Sequence, residues 1–254
     1  MVSSQLKIDT SGSGMDNASI TTQAISEDNE KIEEATDLFP CIYVTYGEIY
    51  QKNCSTVKGG HKLLRANGEQ FSAGYWASYN NGGGYCLVTC GHPFYNASSA
   101  LDVYLNTTND KFGVVNTNNT YIGTYIDASL VTRYSSTATP VQSSLSNNIT
   151  VSGTRSQLPS NGYVSVCFRG STYDNIQIGT ETMNYTNDRS GTKMSLYFID
   201  YDFGDNGESG APVYYKYGTN YYLFGIIVGR KNGGTVVCRA STINNFFGIS
   251  AYTG

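Results

Sequence analysis

The sequence predicts an all-β protein, a barrel or a sandwich. Three observations carry this. Short runs rich in Tyr, Phe, Val, Ile and Thr recur along most of the chain. Clusters of Gly, Asn and Ser separate them, as tight turns require. Charged residues make up only 14% of the chain, whereas Tyr numbers 22 and Gly 28, a composition unlike that of a disordered chain. A length of 254 residues suffices for one large β domain or two small ones.

In chain order, residues 1–23 are rich in Ser, Thr and Gly and read as disordered. Residues 25–39 place Ile32, Ala35 and Leu38 at helical spacing among Glu27, Asp28, Glu30, Glu33 and Glu34, which allows one short amphipathic helix. Residues 42–46 read as a strand between Cys41 and Cys54, whose loop could close as a disulfide. Strands are then expected at 71–77, 85–89, 101–105, 111–115 and 121–125. After a Ser, Asn and Thr-rich connection at 135–148, they resume at 163–168, 176–182, 193–200, 211–217, 221–228 and 235–240. Ser241 or Thr242 could cap a helix running to Phe247, with Gly248 stopping it.

Composition bounds the function. A net charge of −4 argues against a nucleic-acid partner. The longest apolar run, 221–229, is too short to span a bilayer. Residues 1–26 lack the apolar core of a signal peptide. Six cysteines, an even number, suit an oxidising compartment. Sequons at Asn17, Asn53, Asn96, Asn106, Asn118, Asn148 and Asn184 permit glycosylation.

The stretch with the most chemistry is Gly204-Asp205-Asn206-Gly207-Glu208-Ser209-Gly210-Ala211-Pro212. Glycines around one Ser let the backbone turn sharply and admit a substrate carbonyl. The amides of Gly207 and Ser209 could then meet at one point, as an oxyanion hole needs. A Ser nucleophile needs a base, and both histidines, His61 and His92, precede it. His92 follows the apolar strand Leu87-Val88-Thr89-Cys90-Gly91 and is the better mounted. The acid that orients an imidazole is best supplied by Asp127, flanked by Ile126 and Ala128; Asp102 and Asp110 are rivals.

The order His, Asp, Ser and these contexts resemble the chymotrypsin-like serine proteases, in their streptogrisin and α-lytic branch. Val88-Thr89-Cys90-Gly91-His92 is similar to that branch's histidine segment. Asp127 with Val131 and Arg133, and Gly207-Glu208-Ser209-Gly210-Ala211-Pro212, are similar to its other two. Weaker matches keep the same order at Val57-Lys58-Gly59-Gly60, Val166-Cys167, Gly225-Ile226-Ile227, Gly233-Gly234-Thr235 and Ser250-Ala251-Tyr252.

The resemblance implies two six-stranded antiparallel β-barrels, 57–150 and 151–254, with a short C-terminal helix. Residues 1–56 would be an N-terminal extension or the tail of a pro-segment. It implies a secreted, monomeric serine endopeptidase acting on protein or peptide substrates, made as a zymogen, with no metal or cofactor. His92, Asp127 and Ser209 would be catalytic and the amides of Gly207 and Ser209 the oxyanion hole. Val228-Gly229-Arg230 and Gly233-Gly234-Thr235 would form the walls of the specificity pocket, with its base near 201–204.

Several positions depart from the family. Pro93 and Phe71 stand where a disulfide beside the His is usual, and the disulfide around the Ser is missing too, so the six cysteines would form another framework. Cys86 and Cys90 cannot pair on one extended strand. Glu208 replaces an Asp, with Arg169, one position from the family's basic residue, as a candidate partner. Val228 stands in place of a Ser that supports the catalytic Asp. Arg230 replaces a Gly, and would fill the pocket mouth, bind an acidic substrate side chain or point to solvent.

Other readings fare worse. An α/β-hydrolase needs a His after the Ser. A zinc protease needs more than two histidines offer. The alternative is a secreted β-rich adhesion or binding protein, weak or inactive as an enzyme, on a protease scaffold.

Overall fold

The computed structural model describes residues 57–134, 145–203 and 206–253, with the backbone of four short strands before them. Those four, β1 (Lys7–Ile8), β2 (Ile20–Thr21), β3 (Ile42–Thr45) and β4 (Glu48–Gln51), pair as β1 with β2 and β3 with β4. They belong to a unit of residues 1–54 and 135–137, separate from the rest. The expected helix at 25–39 and the Cys41–Cys54 pairing lie outside the described residues.

The remaining unit opens with β5 (Lys62–Arg65), β6 (Gln70–Ser72), β7 (Tyr75–Tyr79), β8 (Tyr85–Thr89), β9 (Leu101–Leu105), β10 (Lys111–Val115), β11 (Thr120–Gly123) and β12 (Ile126–Arg133). Hydrogen bonding runs β7-β8-β12-β10-β9-β5-β6, with β11 also on β12. β6 and β7 act as one strand bent at Ala73-Gly74. The Ala73 amide donates to His61 O, on the β5 side, and the Gly74 amide to Val88 O, on the β8 side, both at 2.9 Å. Counted this way, six strands curl into a barrel-like sheet.

The second half is a closed six-stranded barrel, β13-β14-β15-β18-β17-β16. Its strands are β13 (Tyr163–Phe168), β14 (Ser171–Thr186), β15 (Lys193–Ile199), β16 (Pro212–Tyr217), β17 (Asn220–Lys231) and β18 (Gly234–Arg239). β14 is far longer than the expected 176–182. A register break between Ile178 and Thr182 lets it pair first with β13 and then with β15. β17 and β18 join through Asn232 and Gly233, at φ 50° and 79°. Positive φ at both central residues marks the turn whose twist suits a tight hairpin.

β18 runs straight into helix α1 (Ala240–Phe247) from an extended Arg239, with no side-chain cap. The helix thus starts before Ser241 and Thr242, and neither caps it. Gly248 ends it at φ 63°, as expected. The last strand, β19 (Ile249–Ala251), returns to pair with β7 of the first sheet.

Alternation along the strands builds three apolar clusters. Leu63, Phe71, Trp76, Leu87 and Val131 fill the first sheet, and Val164, Val213, Phe224, Ile227 and Val237 the second. Their strand neighbours Val88, Leu130, Ile226 and Val228 face a third cluster, shared by both halves and α1. Burial of this kind is worth roughly 1.5–3 kcal/mol per large side chain. The Trp76 indole donates to Val57 O (2.7 Å), and the Tyr75 hydroxyl donates to Asn244 of α1 (2.7 Å).

The disulfide framework expected from six cysteines is not what the described residues form. Cys86, Cys90, Cys167 and Cys238 are free thiols, all buried. They occupy core positions as small apolar side chains do. Burial pushes the Cys86 and Cys238 thiols up to about 12 and raises that of Cys90 well above its ordinary value.

Candidate active site

His92 opens a 3₁₀ turn (His92–Phe94) just beyond β8, with Pro93 fixing φ at its second position. Asp127 sits near the start of β12 and is fully buried. Four donors converge on its carboxylate. Oδ1 accepts from the Gly91 amide (2.6 Å) and the His92 amide (2.8 Å). Oδ2 accepts from the Asn187 side-chain amide (2.7 Å) and meets His92 Nδ1 at 2.9 Å. A carboxylate is acceptor-only, so it selects the tautomer that carries the proton on Nδ1 and leaves Nε2 free to accept one.

Ser209 lies on the turn before β16. Gly207 and Gly210 flank it at φ 101° and 95°. The turn is pinned from both sides. Ser72 of β6 donates its amide to Ser209 O (2.8 Å) and its hydroxyl to Gly207 O (2.7 Å). On the other side the Gly210 amide donates to Ile227 O (2.7 Å). Among the described residues the amides of Gly207 and Ser209 donate to no protein acceptor, whereas those of Gly210 and Ala211 do. The Ser209 hydroxyl donates to Val228 O at 3.3 Å.

Glu208 is buried between these amides, and its partner is Arg230 rather than Arg169. Arg230 Nε meets Glu208 Oε1 at 2.7 Å and Asp202 Oδ1 at 3.4 Å. Arg169 instead donates to Gln70 Oε1 (3.1 Å) and Asn206 O (3.0 Å), bracing the same turn from outside. β17 runs beside the turn, so a long side chain two residues before its hairpin turn reaches back to Glu208. Sequence matching could not reveal that distance.

His92, Ser209, Gly207, Glu208, Val228, Gly229 and Arg230 line one cleft of about 520 Å³. Gly68, Glu69 and Gln70 form its edge on the first sheet, and Tyr185 and the 187–189 turn the opposite edge. Gly233, Gly234 and Thr235 do not reach it. Gly233 is the hairpin turn, Gly234 packs under the Phe198 ring, and buried Thr235 donates its hydroxyl to Tyr201 O (2.7 Å). Gly229 is crossed by the Tyr185 ring, whose hydroxyl would lie 2.4 Å from an added Cβ. Burial, then the charges of Asp188 and Asp127, push the Tyr185 hydroxyl up to about 12.

The rival residues have other partners. His61 Nδ1 accepts from the Lys58 amide at 3.2 Å and lines no part of the cleft. Asp102 on β9 pairs with Lys111 (2.8 Å) and Tyr134 (2.7 Å). Asp110 sits in the turn before β10, where its amide donates to Thr107 O. Asn187, Tyr185 and Ser72 had no motif to mark them. A polar residue in a hairpin turn is ordinary, and Asn187 stands 60 positions from Asp127. Among the described residues no three His, Cys, Asp or Glu side chains gather as a metal site.

No family model matches the chain, and no curated protein does. Solved structures do match. The protease from Nocardiopsis aligns with a TM-score of 0.60 at 20% identity, over 78% of this chain and 100% of its own. Protease A of Thermobifida fusca gives 0.58 and 21%, over 79% and 100%. The chymotrypsin of Cellulomonas bogoriensis gives 0.59 and 16%, over 79% and 100%. The likeness is one of fold, and this chain therefore has the two-barrel scaffold of the chymotrypsin-like serine proteases, in the form these bacterial enzymes share.

Proposed function

We propose that the protein is a serine endopeptidase that cleaves peptide bonds through an acyl-enzyme formed on Ser209. The observation that carries the reading is that His92, bonded to the buried Asp127, shares one cleft with a Ser on a glycine-flanked turn. For reaction the Ser209 hydroxyl turns from Val228 O to His92 Nε2. Its oxygen attacks the scissile carbonyl as Nε2 takes the proton. Asp127 holds the imidazole and stabilises its charged form. The free amides of Gly207 and Ser209 would receive the oxyanion, which costs no reorganisation because the turn is already pinned. His92 then returns the proton to the leaving amine, and water completes hydrolysis by the same route.

The test is labelling by a fluorophosphonate, which phosphonylates only an activated Ser, with fluoride as the leaving group. Labelling should fall on Ser209 and disappear in Ser209→Ala. Peptide turnover should fall by roughly 10⁴–10⁶ in Ser209→Ala and His92→Ala with the fold kept. Near-full turnover in His92→Ala would refute the assignment. Secretion, action as a monomer and removal of residues 1–56 belong to the same proposal. N-terminal sequencing and sizing of the active protein from the medium test them.

A further inference from the structure

Asn187 is the first residue after β14 and is almost fully buried. Its backbone closes the turn to β15, with its amide donating to Thr192 O (2.9 Å) and its carbonyl accepting from Gly191 (2.8 Å). Its side chain faces two ways. Oδ1 accepts from the amides of Arg189 (3.1 Å) and Ser190 (3.0 Å), while Nδ2 donates to Asp127 Oδ2 (2.7 Å). Two N–H donors on one side and a carboxylate on the other leave a single sensible orientation for the amide. Oδ2 is the same oxygen that meets His92 Nδ1. On β17 the side chain at 228 is a valine and has no donor to offer. The second barrel thus grips the buried acid of the first through one residue.

We infer that Asn187 is a positioning residue for the Asp127–His92 pair, an inference that rests on the proposed peptidase reading. Its Nδ2 fixes the rotation of the carboxylate, so that Oδ2 stays in line with Nδ1. It also shares the negative charge of a group with no access to water. The turn thereby couples the second barrel to the base as well as to the nucleophile.

Asn187→Asp is the discriminating change. It keeps the oxygen that holds the turn and replaces the donor with a like charge facing Asp127. Asn187→Ala removes both functions. Because hydrogen bonds to charged groups are worth about 1.5–3 kcal/mol, kcat should fall roughly tenfold to a hundredfold in each variant, with KM within about twofold. In Asn187→Asp the acidic limb of the kcat/KM profile should move to higher pH, since the added negative charge favours the imidazolium. Turnover and pH profile in Asn187→Asp equal to those of the parent would overturn the inference and leave Asn187 a turn residue. Failure of the peptidase reading shows separately, as a parent that neither turns over peptides nor labels at Ser209. The inference then stands or falls on proton NMR, made simple by a chain with two histidines. A low-field His92 Nδ1 proton displaced or lost in both variants supports it, and an unchanged signal in Asn187→Asp overturns it.

Discussion

Arg230→Met tests whether the guanidinium in the cleft serves the turn or the substrate. The side chain of Glu208 is 6% exposed and that of Arg230 35%, so the carboxylate is buried and the guanidinium half in water. Truncating one partner of a fully buried pair costs about 3–5 kcal/mol, and losing a hydrogen bond to a charged group about 1.5–3. Water can reach the Arg230 side of this pair, which places the expected loss at about 2–3 kcal/mol. For a chain of this size that lowers the melting temperature by roughly 4–12 °C. The strain falls on Glu208, which lies between the two amides proposed to receive the oxyanion, so kcat on neutral peptides should drop about tenfold or more with KM little changed. Adding Glu208→Gln should restore part of the stability, because the carboxylate that lost its partner is then neutral. The assays are calorimetric melting and turnover of matched neutral and acidic peptides. A variant that melts with the parent, keeps kcat on neutral peptides and loses only those with Asp or Glu would refute the reasoning and give Arg230 to the substrate.

Iodoacetamide at pH 8 should leave Cys86, Cys90, Cys167 and Cys238 unmodified in the native protein. It should alkylate all four after denaturation without reductant. Peptide mass mapping reads both results, and resistance after denaturation would mean these residues are disulfide-bonded after all. His61 makes a prediction about pH. Burial, then the charge of Lys58, hold its imidazole below the ordinary range. The folded state resists protonation that the unfolded chain accepts, so stability should fall as pH drops below about 6.5. His61→Gln should flatten that part of the curve of melting temperature against pH, and parallel curves for parent and variant would contradict the cause.

What the sequence showed follows from how local each signal was. β8, β9, β10 and β13 have the bounds expected for them, because each is a short run of β-forming residues closed by turn residues. β12 was read only as the setting of Asp127, since it is buried on both faces and alternates with nothing. β5 and β19 are too short to show a period, and β14 hides its length behind a register break. At the site, motifs pointed to His92, Asp127 and Ser209 through resemblance. Partners set by folding did not show, because no motif records distance. Arg230 was read as a pocket residue and Arg169 as the partner of Glu208, yet it is β17, lying beside the turn, that delivers the cation. Asn187 offered no signal at all.

The docking of the two barrels explains why the site can be assembled from halves so far apart in sequence. His92 and Asp127 belong to the first sheet and Ser209 to the second, so catalysis would need the halves held to within a few tenths of an ångström. An apolar interface alone is non-directional and does not fix such a register. Ser72 does. It sits where β6 bends into β7, and it gives two hydrogen bonds to the Ser209 turn, one from its amide and one from its hydroxyl. Its own carbonyl is held by the Thr89 hydroxyl (2.7 Å), three residues before His92. The contact is close enough that a Cβ on Gly210 would lie 2.2 Å from Ser72 O and 2.6 Å from Thr89 Oγ1, so at φ 95° only glycine fits. The strand that leads to His92 and the turn that carries Ser209 therefore share one polar joint, and the Asn187 bond to Asp127 adds a second. These polar joints give the cleft a register that the apolar core between the barrels does not supply by itself.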